Sequence, residues 1–355
     1  MSMSSNSAGV STSSRAEQNA APIATAILRH APDAGLDGIL QKLRSASPSP
    51  LPVSLPQTVV IKPNLCDIVS WEAGVTTDPA WLAVLAAELR TIRSDVRILV
   101  VESDAISAYK SFRSCDETFD RLGYREIARA KGIELINLSN TESIEISLEG
   151  IPLPVLVSEL FLEEFYFISI ANLKVHGYEY MTGILKNSLG LLTGSDLTPM
   201  HPYLPRLISQ LHRLCPPDLC IIDGRIGLEG HGPILGDPVV VNAVVFSNDA
   251  LAADVAACKL MGIPPQEVPH LGETAKNLGR ELPEVTLPAD IQPHSFSFHT
   301  PDHRAILLKF ANRRIHRSSE MFMNTWINRF LRFKSEPVKF ATEAIPKLVR
   351  RLYAK

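Results

Sequence analysis

Between residues 57 and 280 the chain alternates short apolar runs with longer stretches in which apolar residues recur at helical spacing. The short runs are Thr58–Lys62, Val96–Glu102, Glu134–Asn137, Phe165–Ala171, Leu219–Asp223 and Val239–Phe246. Their length and their Val, Ile and Phe content predict strands buried on both faces. Between them, Pro79–Arg93, Asp116–Lys131, Pro202–Leu214 and Ala250–Met261 predict helices. Asp78 precedes the first as a capping carboxylate with Pro79 in the first turn, Gly132 ends the second, and Asn248-Asp249 caps the last. Residues 144–157 alternate like a strand pair that turns at Glu149-Gly150. Together these elements predict an α/β fold with a mostly parallel, doubly wound sheet covered by helices on both sides. One body, or two lobes with a site between them, both satisfy the pattern.

Outside residues 57–280 the pattern changes. Residues 1–50 read as a disordered or loosely ordered extension, because the first twenty are polar and Ser-rich. Pro48–Pro56 reads as a Pro/Ser linker into the first strand of the core. At the other end, residues 303–355 hold 13 Lys/Arg against 3 Asp/Glu, whereas residues 1–302 hold 22 against 35. Within that basic tail, Ala305–Ile315, Phe322–Phe333 and Ala344–Leu352 mix arginine with Leu, Ile, Phe and Trp at roughly helical spacing. Such helices either lie on an anionic membrane surface or a partner protein, or pack their apolar side against the acidic body. The basic residues are dispersed through apolar helices and form no recognised module, so nucleic acid is not an expected partner. The five cysteines follow no pattern, which argues for a reducing compartment without disulfides. No apolar run is long enough to span a bilayer, and Met1–Ser14 lacks the build of a signal peptide. The expected location is cytoplasmic, with peripheral membrane attachment through the tail as the added option.

The chemistry gathers after the Phe165–Ala171 strand. The segment from Ala171 to Gly190 holds Lys174, His176, Lys186 and Asn187 between apolar neighbours. Open α/β sheets bind ligands where strands end, so these cationic and hydrogen-bonding residues predict a pocket for an anion. Lys174 and His176 are two apart and project to the same side of an extended segment. Lys62-Pro-Asn64 ends the first strand of the core and aims Lys62 and Asn64 the same way. Glu102-Ser-Asp104 ends the next strand, where a carboxylate can hold a metal ion, a ribose hydroxyl or a partner lysine. Asp223 closes a further strand and is followed by Glu229-Gly-His-Gly232, whose Gly230 and Gly232 allow close backbone approach to an anion. Asp104, Asp223 and Glu229 are therefore candidate metal ligands, and a metal ion is an open cofactor option. Asp254 lies inside an apolar helix and needs a partner there, Lys186 being the expected one.

The motifs Val60–Cys66, Thr76–Pro79, Val101–Asp104, Asn172–His176, Thr182–Gly190, Ile222–Gly224, Glu229–Gly236 and Asp249–Asp254 occur in one order across the core. In that order the chain resembles the domain-of-unknown-function 362 family, some of whose members carry iron–sulfur modules. No four cysteines are closely spaced here, so no iron–sulfur cluster is expected. The order His176, Lys186, His201 is also similar to the histidine–lysine–histidine series of lactate racemase-type enzymes, which use a nickel-pincer nucleotide. The expectation that follows is an isomerase-like or redox enzyme acting on an anionic small molecule, a carboxylate or a phosphate. In it His176, Lys186 and His201 do acid–base or covalent work, while Lys62, Asn64, Lys174, Asn187, Gly230 and Gly232 bind substrate. The alternative is a non-catalytic metal- or nucleotide-binding protein whose tail docks on a membrane or partner.

Overall fold

The computed structural model describes residues 22–104, 114–177, 179–193 and 198–297. The basic tail, with every expectation attached to it, lies outside the described residues. Within them the elements run β1 (Thr25–Arg29), α1 (Gly35–Arg44), β2 (Thr58–Lys62), α2 (Ala80–Ile92), β3 (Arg97–Glu102), α3 (Cys115–Arg121), α4 (Tyr124–Lys131) and β4 (Glu134–Asn137). They continue with β5 (Ser143–Ile146), β6 (Val155–Ser158), β7 (Tyr166–His176), β8 (Tyr180–Met181), α5 (Ile184–Asn187), α6 (Leu204–Leu214), β9 (Leu219–Glu229), β10 (Asp237–Ser247), α7 (Ala250–Met261) and α8 (Pro269–Asn277).

One continuous sheet has the order β1-β10-β9-β7-β2-β3-β4, with β8 paired to β7. From β9 to β4 all neighbours are parallel, and β10 and β1 add an antiparallel margin. Both faces are covered, as the unbroken apolar runs require. Val59, Ile61, Ile98 and Ile168 face α1, α2, α3 and α4, while Ala171, Leu173, Ile222 and Val245 face α7 and α8. Strand order reverses beside β2: the chain passes from β2 to β3 on one side and returns as β7 on the other. The carboxyl ends of β2, β3 and β7 therefore open around a topological switch point, the usual place for a ligand in such sheets.

Several boundaries differ from the sequence reading, each for a physical reason. The loose extension expected over residues 1–50 is structured from Thr25 onward, because β1 pairs with β10 and α1 buries Leu36, Ile39, Leu40 and Leu43. The helix predicted over Asp116–Lys131 is two helices, broken where Gly123 takes a left-handed conformation at φ +79°. Asp78 caps α2 through the Ala80 amide at 2.8 Å, and Asp249 caps α7 through Ala252 at 2.7 Å. The β5–β6 hairpin forms its own antiparallel pair and packs on α6 through Ile151, Val157, Leu207 and Leu211. β7 runs five residues beyond its predicted end, through Lys174 to His176, and β9 runs on to Glu229. The added lengths pair with each other, Asn172 opposite Asp223 and Lys174 opposite Leu228, across a bulge.

Candidate functional site

Lys62 ends β2 with its ammonium 1% exposed. Three acceptors surround it: Glu102 Oε2 at 2.9 Å, Asn187 Oδ1 at 3.1 Å and the Pro63 carbonyl at 3.1 Å. A buried lysine needs such a counter-charge, and the parallel pairing of β2 with β3 brings Glu102 to it from the neighbouring strand end. Lys62 is thus neutralised and held. It ties β2, β3 and α5 together rather than offering charge to a ligand. Gly190 seals this pair, since a side chain there would start 2.5 Å from Lys62 Nζ.

Asn187 is the knot of the arrangement. Its Oδ1 also accepts from Asn64 Nδ2 at 3.2 Å, and its amide nitrogen donates to Ser169 Oγ at 3.1 Å and to the Lys62 and Ile170 carbonyls at 3.3 Å. Asn64 passes the network on, because its Oδ1 accepts from Lys174 Nζ at 2.7 Å. Lys174 is as deeply buried as Lys62, but its other neighbours are the Val75 carbonyl at 2.8 Å and the Cys66 sulfur at 3.2 Å. No carboxylate touches it among the described residues. Lys62 and Lys174, alike in sequence, therefore differ in charge balance.

Lys186 sits on α5, partly accessible, with no hydrogen-bond or ion-pair partner among the described residues. Burial and the charge of Lys174 lower its pKa to about 8, against the opposing pull of Glu179 and Cys66. Asp254 is not its partner, contrary to the sequence expectation. The Asp254 carboxylate accepts the backbone amides of Ile184 at 2.7 Å and Leu185 at 3.0 Å, so it anchors the first turn of α5 instead. Gly183, at φ +121°, brings the chain against that carboxylate where a side chain has no room. Burial raises the pKa of Asp254 to about 7 despite those two amides.

The turn after β7 supplies two further groups. His176 Nδ1 accepts from the Glu179 amide at 3.2 Å, which leaves the proton of the neutral ring on Nε2. The Glu179 carboxylate meets His270 Nδ1 of α8 at 3.0 Å, both side chains buried, and burial lowers the pKa of His270. His270 is in turn close enough to feel the charge of Lys186. Glu179, His270 and Cys66 thus join Lys62, Asn64, Lys174, His176, Lys186 and Asn187 at one end of the sheet.

The remaining candidates fall elsewhere. Asp104 accepts the Cys115 amide at 2.7 Å and Asn137 Nδ2 at 3.0 Å, fastening the start of α3 to the end of β4. Asp223 accepts from Trp81 Nε1 at 2.8 Å and pairs with Arg225, which also meets Asp78 at 2.8 Å and lies 4.4 Å from the centre of the Trp71 ring. Glu229 accepts the Ser297 amide at 2.7 Å. The three carboxylates proposed as metal ligands are thus spread over separate contacts, and no group of three His, Cys, Asp or Glu side chains is placed to hold a metal among the described residues. Gly230 donates its amide to the Ser297 carbonyl at 2.7 Å, so that amide is not free for an anion. Gly232 lies against the Val175 carbonyl, beside the end of β7. His201 lies in the turn Thr198–Tyr203, and its side chain is outside the described residues.

Comparison with known proteins matches residues 59–259 to the family described as "Domain of unknown function (DUF362)". The chain belongs to the DUF362 family. The matched span contains every site group above except His270. Among curated relatives, the "Thylakoid-associated protein sll1697" of Synechocystis sp. is 27% identical over 129 residues, which is 34% of this chain and 40% of that protein. Among solved structures, the lactate racemase apoprotein from Thermoanaerobacterium thermosaccharolyticum aligns with a TM-score of 0.41 at 11% identity. That alignment covers 62% of this chain and 51% of the racemase, so this DUF362 chain spans about half or less of each of these two proteins. No helix among the described residues is long and apolar enough to cross a membrane.

Proposed function

We propose that this DUF362 protein is an enzyme that acts on an anionic small molecule, a carboxylate or a phosphate, by lysine and histidine chemistry. One observation carries the reading: two amines, Lys174 of β7 and Lys186 of α5, lie close enough for each to feel the other's charge, with no carboxylate bonded to either among the described residues. The nearby carboxylate, Glu179, is engaged by His270. An excess of positive charge in a low-dielectric cleft favours an anion. In this reading Lys174 supplies field, Lys186 supplies an accessible amine, and His176 is the imidazole at the same end of β7. Lys62, Asn64 and Asn187 hold the frame.

Titration calorimetry of the full chain with inorganic phosphate and with small mono- and dicarboxylates tests this. Saturable binding that is lost in Lys186→Met and weakened at high salt is the expected result. Binding unchanged in Lys186→Met and in Lys174→Met would remove the site from consideration.

The charge imbalance between residues 1–302 and 303–355 favours one additional role. The basic tail would dock a cytoplasmic protein on an anionic membrane surface or an acidic partner.

A further inference from the structure

We infer that Lys186 forms an imine with a small carbonyl compound that carries an anionic group next to the carbonyl, a 2-oxo acid. The inference rests on the anion-site reading above and specifies the substrate class of that site. Lysine acts as a carbon nucleophile only when its amine is deprotonated, accessible and not locked in an ion pair. Lys186 is partly accessible, has no ion pair among the described residues and keeps a neutral fraction, whereas the other two lysines of the site are buried and bonded. Lys62 is locked to Glu102, and Lys174 is 1% exposed and donates to two carbonyl oxygens. The neighbouring Lys174 ammonium has two effects. It disfavours a second positive charge, which keeps a share of Lys186 neutral near pH 8. It also draws the anionic end of a ligand inward, which sets the adjacent carbonyl beside Lys186. An anion without a carbonyl uses half of this arrangement, and a carbonyl compound without an anion uses the other half.

The step balances without a further reactant. The neutral amine of Lys186 attacks the carbonyl carbon, and a carbon–nitrogen bond forms as the π electrons move to oxygen. One proton passes from nitrogen to that oxygen to give the carbinolamine, which then loses its hydroxyl and its remaining nitrogen-borne proton as one molecule of water. Solvent protonates the departing oxygen as the nitrogen gives up its proton, so the step needs no further group. Asp254 acts on the amine indirectly, by fixing the first turn of α5.

The test incubates the full chain with pyruvate or glyoxylate, adds sodium borohydride, and maps the modified lysine by peptide mass spectrometry. Calorimetry with the same two acids and with phosphate runs in parallel. The expected result is a reduced carboxyalkyl adduct on Lys186 at near one per chain, absent in Lys186→Arg, whose fold is checked by circular dichroism. Calorimetric binding of either acid without an adduct, or adducts spread over many lysines, overturns the imine and leaves the anion site standing. Phosphate binding with neither oxo acid bound also overturns the inference while sparing the site. No binding of any of the three overturns both.

Discussion

Lys62 and Lys186 show how one residue type takes opposite roles from its surroundings. Lys62 is buried with a counter-ion, so its removal and the removal of that counter-ion are different experiments. Glu102→Gln leaves a buried ammonium without its carboxylate and is expected to lower stability by about 3–5 kcal/mol, read by urea unfolding. The double variant Lys62→Met with Glu102→Leu removes both charges and is expected to regain most of that loss. An unchanged midpoint for Glu102→Gln would show that the pair is not buried as drawn. Lys186 has no counter-ion among the described residues, and its charge answers to Lys174, Glu179, Cys66 and His270, which act on it from β7, the following turn, the loop after β2 and α8. Its acylation by a small anhydride is expected to reach half its maximum near pH 8, well below the ordinary lysine near 10.5. Lys174→Met removes the repulsion, so the Lys186 midpoint moves upward. A midpoint that stays put would show that Lys174 does not set it. The cluster of lysines, histidine and asparagines was legible in the sequence because motif and strand end coincide there. Glu179 and His270 were not, since an acid in a turn and a histidine in a distant helix carry no sign of their contact.

At the scale of elements, the site depends on α5 being held at its first turn. That hold comes from Asp254 of α7, whose carboxylate takes both the Ile184 and Leu185 amides. Asp254→Ala leaves two buried donors unsatisfied and opens a cavity, an expected loss of about 2–5 kcal/mol together with loss of anion binding at the end of β7. The pH dependence has a definite sign. The folded-state pKa of Asp254, about 7, lies above its ordinary 3.8, so the folded chain binds more protons between these values. The contribution of this group is complete below about pH 4 and is lost as pH rises through 7, on the order of 4 kcal/mol in all. Asp254→Asn is expected to flatten that part of the stability profile while keeping the fold. A profile identical to the parent's would show that Asp254 does not titrate there. The sequence marked Asp254 as buried and in need of a partner but pointed to Lys186. Periodicity places a carboxylate inside an apolar helix without saying whether an amine or a backbone amide meets it. β1 and α1 were hidden for a related reason: their apolar spacing over Leu36, Ile39, Leu40 and Leu43 stood beside a polar, Ser-rich terminus whose composition dominated the reading.

At the scale of the whole molecule, the alternation of strands and helices was enough to foresee a doubly wound parallel sheet, because unbroken apolar strands require cover on both faces. The pairing of β1 on β10 at the antiparallel margin was not foreseeable, since pairing between segments 218 positions apart leaves no local trace. The division of charge has a consequence at the same scale. With 13 basic against 3 acidic residues, the span 303–355 opposes an acidic remainder, and the two readings of it differ in what salt and truncation do. If the tail docks on an anionic surface, the full chain co-sediments with phosphatidylserine vesicles at low salt. That binding weakens steeply as the Debye length shortens from about 10 Å at 0.1 M toward about 3 Å at 1 M. A chain ending at residue 302 then stays in the supernatant while still binding the small anion, because Lys174 and Lys186 lie on β7 and α5. If the tail instead packs on the body, vesicles recruit neither chain, and truncation lowers the unfolding midpoint. Equal vesicle binding by the full and shortened chains would assign any membrane affinity to the body and end the case for the tail.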